Sequence, residues 1–109
     1  MNLPTEVFGN VVVVHTPDEL SVDQAERFEG FIGALDQNRV VLDIDNTELL
    51  DSAGLTALLN CHERLSEVGG AARVATTSVT NRKILEITRI DHQIEVFESV
   101  LDAVKSFAV

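Results

Sequence analysis

The chain has 109 residues, 45% hydrophobic and 24% charged, the usage of one globular domain able to bury a core without disulfides or metals. Eighteen acidic residues against eight basic ones leave a formal charge of −10, which excludes phosphate backbones and anionic lipid as natural partners and makes any charged partner basic. The longest apolar run, Val11 to Val14, is far below the ~20 residues of a bilayer-spanning helix, the N-terminus has neither a basic segment nor an apolar signal core, and Cys61 stands alone, so no membrane insertion, export or disulfide is expected and a cytoplasmic setting is.

Thr5 to Phe8 and Val11 to Val14 flank Gly9-Asn10, a glycine-first two-residue connection between β-branched runs, which predicts a β-hairpin. After a turn at Pro17-Asp18, Ser21 and Gln24 have capping-box spacing, and Ala25, Phe28, Ile32 and Leu35 recur at helical intervals, giving a first helix over Val22 to Leu35. Arg39 to Ile44 has almost no polar surface and reads as a central strand covered on both faces. Leu55, Leu58, Leu59 and Leu65 form the apolar side of a second helix that starts near Ser52 and stops before Gly69-Gly70. Ala72 to Ala75 reads as a strand, Thr80 to Thr88 as a helix, Ile94 to Phe97 as a strand and Ser99 to Phe107 as a last helix. This alternation, with connections too long for hairpins after the first, predicts an α/β fold. A single domain over residues 1–109 should carry a mostly parallel sheet of four to five strands, an N-terminal hairpin and about four helices.

Chemistry concentrates where Val40-Val41-Leu42-Asp43-Ile44 is followed, after a short loop, by Leu49-Leu50-Asp51-Ser52-Ala53-Gly54-Leu55. The first turn of a helix presents unpaired N–H groups and the positive end of its dipole, so a hydroxyl there can carry a phosphate that is stabilised where it forms. A phosphoserine adds roughly −1.5 to −2 charge. At Ser52, beside Asp51, it would concentrate negative charge on an already acidic protein. The same residues fit a plain structural role equally well, with Asp51 or Ser52 as the helix cap and Gly54 as a close-packing position. His15, His62 and His92 lie on separate predicted elements without ligand spacing, so no metal site is expected. Cys61 reads as an inert thiol packed near the sheet. No phosphate-cradling loop or dinucleotide fingerprint is present, and Ser52 lacks the nucleophile-elbow sequence, so a binding protein is expected and not an enzyme.

The order of these pieces resembles the STAS domains of anti-sigma factor antagonists over nearly the whole chain. The resemblance rests on Leu42-Asp43-Ile44, on Leu50-Asp51-Ser52-Ala53-Gly54-Leu55, on the Gly69-Gly70 break, and on Thr77 through Ile90 before a short strand and last helix. It implies that Ser52 matches the serine phosphorylated by a partner that is both an ATP-dependent serine kinase and an anti-sigma factor. The unphosphorylated form would bind that partner and free the sigma factor, and a separate Ser/Thr phosphatase would reset the switch, with no cofactor involved. The implied binding face comprises the loop before the first helix and the rim around the serine: Asp18, Glu19, Asp23, Thr47 and Glu48, with Asp51, Ser52, Ala53 and Gly54. Three positions depart from the family pattern. Ala53 stands where Ser or Thr is usual, which removes a second phosphorylation site, and Asp18 and Arg89 stand at or near positions that are often Gly. The competing implication is a STAS adaptor subunit that packs permanently against a transporter or a multi-protein signalling complex, with Ser52 as a cap or interface residue.

Overall fold

The structure is a computed structural model that describes residues 1–107. Strands β1 (Thr5–Phe8) and β2 (Val11–His15) form the hairpin. Phe8 pairs with Val11 across it, and Gly9 takes a φ of +62° while Asn10 stays at negative φ, the first-glycine pattern of a type II′ connection. A two-residue strand β3 (Glu19–Leu20) leads into helix α1 (Val22–Gly33), whose Gln24 side chain reaches back to accept from the Ser21 N–H at 3.3 Å. Then follow β4 (Arg39–Asp43), β5 (Leu49–Leu50) and helix α2 (Ser52–Glu67). The chain closes with β6 (Ala71–Ala75), α3 (Val79–Ile87), a 3-10 turn at Ile90–His92, β7 (Val96–Phe97) and α4 (Val100–Lys105).

The main sheet has five strands in the order β1-β2-β4-β6-β7. It is antiparallel only at the hairpin, and β2, β4, β6 and β7 run parallel. Strand β4 lies in the middle, as its unbroken apolar run predicts. Val40 and Leu42 face α1, α2 and α3 in a core with Val12, Val14, Phe28, Ile32, Leu58 and Leu85, while Val41 faces α4 with Val11, Val13, Ala103 and Phe107. Two glycines end α2: Gly69 adopts a φ of +83°, and the Gly70 N–H returns to the Leu65 carbonyl at 2.8 Å.

The expected α/β domain with its hairpin and four helices is present, and the differences are local. The last strand is Val96–Phe97 and not Ile94 to Phe97, because residues 90–92 coil into the 3-10 turn and the Ile94 N–H bonds the Ile90 carbonyl. The last helix is shorter than expected at both ends. A second, two-stranded parallel sheet, β3 with β5, pairs Glu19 with Leu49 and Leu20 with Leu50. Segments this short carry no periodicity by which the sequence could announce them.

Candidate functional site

The parallel connection places the ends of β2, β4 and β6 on one rim of the sheet, where open α/β sheets position ligands and partners. The β3–β5 pair lies above this rim and brings the segment before α1 against the segment before α2. The Glu48 and Leu49 N–H groups both donate to the Asp18 carbonyl, at 2.8 and 3.2 Å.

Asp51 occupies the N-cap of α2. Its Oδ1 accepts from the Gly54 N–H at 2.9 Å, and its Oδ2 accepts from the Val22 N–H, the first amide of α1, at 3.3 Å. One carboxylate therefore joins the positive ends of two helix dipoles. Ser52 follows as the first residue of α2 and is exposed, sharing a shallow groove between α1 and α2 with Val22, Ala25, Glu26, Ala53 and Thr56. The capping role falls to Asp51, which leaves the Ser52 hydroxyl open to chemistry.

Gly54 is buried, and a Cβ built on it would lie 2.0 Å from the Leu20 carbonyl oxygen. Only glycine lets the first turn of α2 rest this closely on β3, which is what holds Ser52 at the rim.

Asp18, Asp23 and Glu48 are exposed and Glu19 is half-buried, on or next to the two segments joined by the β3–β5 pair. Thr47 differs from its neighbours. It is buried, sharing a hydrogen bond of 2.6 Å with the Thr16 hydroxyl and donating to the Pro17 carbonyl, so it ties the loops together beneath the rim. Val22, 70% exposed in the groove with Ser52, and Leu49, 51% exposed on β5 opposite Glu19, add apolar surface that sequence reasoning missed, because isolated apolar residues in short connections look like core.

Two further groups that spacing did not reveal brace the rim. Asp45 accepts from the Thr77 N–H at 2.6 Å and from the Thr76 and Thr77 hydroxyls. Partial burial would raise its pKa, but these donors outweigh that and lower it. The Asn81 amide donates to the Ile44 and Thr47 carbonyls, both at 3.1 Å, and pins α3 to the same loop.

The histidines do not converge. His62 accepts from the Ala72 N–H and His92 lies beside Asp91, while His15 sits at the end of β2 between two carboxylates. Its Nδ1 lies 2.8 Å from Asp43 and its Nε2 2.7 Å from Glu6, a placement in which the protonated ring donates from both nitrogens. Desolvation would lower its pKa, but the hydrogen bonds and charges of Glu6 and Asp43 raise it. Among the described residues no group of His, Cys, Asp and Glu is arranged to hold a metal ion. Burial, aided by the Glu29 charge, pushes the Cys61 thiol up to about 12, so it is no nucleophile near neutral pH. Among the described residues no helix is long and apolar enough to cross a membrane.

Proteins of known structure share this fold. The crystal structure of an anti-sigma factor antagonist from Mycobacterium paratuberculosis superposes with a TM-score of 0.83 at 25% identity, covering 96% of this chain and 92% of that one. The phosphorylated form of the Bacillus cell fate determinant SpoIIAA gives 0.70 at 18% identity, covering 96% and 98%. A sulfate transporter family protein from Wolinella succinogenes gives 0.79 at 16% identity, covering 93% and 87%. In sequence, a Thermotoga neapolitana protein bearing the name of an anti-sigma factor antagonist homologue is 22% identical, covering 94% of both chains. The sheet order and a match of residues 2–103 to the family model described as the STAS domain lead to one assignment: this chain belongs to the STAS domain family.

Proposed function

We propose that this protein is an anti-sigma factor antagonist whose binding to an anti-sigma factor kinase is switched off by phosphorylation of Ser52. The observation that carries the reading is the placement of Ser52. Its hydroxyl is exposed at the first position of α2, the neighbouring Asp51 carries out the capping, and Gly54 seats the turn against β3. The names of its relatives point the same way, and the chain spans nearly their full length.

The unphosphorylated rim offers Val22 and Leu49 for close packing, surrounded by Asp18, Glu19, Asp23 and Glu48, and so suits a kinase surface that is apolar at its centre and basic at its edge. Kinase transfer places two further negative charges, at most, in the middle of that contact. A loss of ~1.4 kcal/mol lowers affinity tenfold, and a desolvated like charge in an interface costs several times as much. One phosphate is therefore enough to release the partner and return it to the sigma factor, until a Ser/Thr phosphatase removes the group. The chain acts in this cycle as substrate and ligand in the cytoplasm, with no catalysis of its own. Ala53 leaves the rim with a single phosphorylation site where the family often has two adjacent hydroxyls.

The test is binding to the serine-kinase anti-sigma factors encoded in the same genome, measured by calorimetry with ADP present. Wild type and Ser52→Ala should bind one of them with equal affinity, and Ser52→Asp at least tenfold more weakly. Equal binding by all three variants would contradict the switch and favour a permanent adaptor subunit, the role in which Ser52 is only an interface residue.

A further inference from the structure

Strand β1 lies at an open edge of the five-stranded sheet, and all four of its residues are exposed. Edge strands display unpaired N–H and C=O groups that template further pairing, and proteins usually guard them with Lys, Pro, bulges or a covering element. The sequence Thr5-Glu6-Val7-Phe8 has no Lys and no internal Pro, and its register with β2 runs without a bulge. Val7 and Phe8 are 59% and 43% exposed.

The pattern of pairing fixes which groups are free. The His15 N–H donates to the Pro4 carbonyl, so Pro4, Glu6 and Phe8 turn their backbone groups toward β2. Thr5 and Val7 therefore turn theirs outward. The charge distribution leaves this same edge approachable. Glu6 is the one Asp, Glu, Lys or Arg among residues 1–17, so seventeen of the eighteen acidic residues follow Pro17. Glu6 itself is paired with the His15 ring, whose Nε2 lies 2.7 Å from its carboxylate. Two copies that repel each other elsewhere through their −10 charges meet least repulsion here.

The geometry points to β1 as a self-association edge: a second copy pairs its β1 antiparallel to the first, about a two-fold axis at Val7, and joins two five-stranded sheets into one. A two-fold axis perpendicular to the sheet keeps the helix-covered faces on one side and sets residues of like facing opposite each other. Two registers centred on β1 satisfy it. Centring on Glu6 opposes two carboxylates within a non-hydrogen-bonded pair, where Cα atoms lie ~4.5 Å apart and like charges destabilise. Centring on Val7 instead lets the two Val7 residues exchange both outward backbone bonds, while Glu6 of each copy lies opposite Phe8 of the other. The contact is isologous and closes at two copies, so it does not propagate into a fibre. Four residues per copy make a small interface and hence a weak dimer.

Sedimentation equilibrium of the full chain from about 10 μM to about 1 mM, the range in which weak association of this class appears, should show a monomer becoming a dimer. Amide exchange at Val7 should slow as the dimer fills. Val7→Lys, an edge guard at an exposed position, should weaken the association at least tenfold, and Ile87→Lys at an exposed site on α3 should leave it unchanged. A monomer at all concentrations would overturn the inference. So would a dimer that survives Val7→Lys, or one in which Val7 exchanges as fast as in the monomer.

Discussion

Asp51, Ser52 and His15 divide the work of the rim among single side chains. The two oxygens of Asp51 bond amides from two helices, which leaves Ser52 without a capping task. The Asp-Ser-Ala-Gly pattern was legible in the sequence, but the choice between Asp51 and Ser52 as cap was not, because both residue types are good N-caps. His15 was invisible for a different reason: its partners Glu6 and Asp43 come from two other strands and meet it only through register. Since its pKa is raised in the folded state, the stabilisation it provides is complete below the unfolded histidine value and fades as pH rises through the higher folded value. The thermal midpoint should therefore fall as pH rises above the ordinary histidine value, and His15→Phe should flatten that slope. An NMR titration of the His15 ring checks the direction independently, and an unshifted or lowered midpoint would sink the clamp. Arg89 is the one described non-glycine residue at positive φ, 61°, in the turn after α3. A side chain in this conformation costs roughly 1–2 kcal/mol, partly offset by the greater freedom glycine has in the unfolded chain. Arg89→Gly should raise the unfolding free energy by up to ~1 kcal/mol in urea titrations.

Between elements, the contact that matters most for the site is α2 on β3. The helix was readable from its leucine spacing and from Gly69-Gly70, and β4 from its apolar run. Strand β3 was not, because a two-residue segment has no period, and with it the reason for Gly54 was hidden. Adding a methyl group at Gly54 would drive it into the Leu20 carbonyl, a backbone atom that cannot turn aside as a side chain can. Gly54→Ala should destabilise by about 1–3 kcal/mol, the usual cost of overpacking, and shift the first turn of α2 away from β3. Chemical shifts of Leu20, Val22 and Ser52 amides report the displacement. Gly30→Ala is the control: a Cβ there meets nothing within 4 Å, and its removal of a glycine from inside α1 should stabilise by roughly 0.5–1 kcal/mol.

Taken as one body, the molecule has acidic, partly apolar surface at the rim and a nearly uncharged strand at one edge of the sheet. The class and strand order were legible because each crossover helix and each long strand carries its own pattern. The convergence of Asp18, Glu48 and Ser52 was implied by the family resemblance and not by any residue pattern, since it depends on the small β3–β5 sheet that joins their segments. The charge of −10 was plain from composition and sets the sign of the partner, and the structure adds where it lies. The serine switch at this rim is tested most directly by intact mass and phosphosite mapping of the protein recovered from its own cells under several growth conditions. The account predicts a single phosphate, on Ser52, with occupancy that changes between conditions; a Ser52 that stays unmodified in every condition would contradict it.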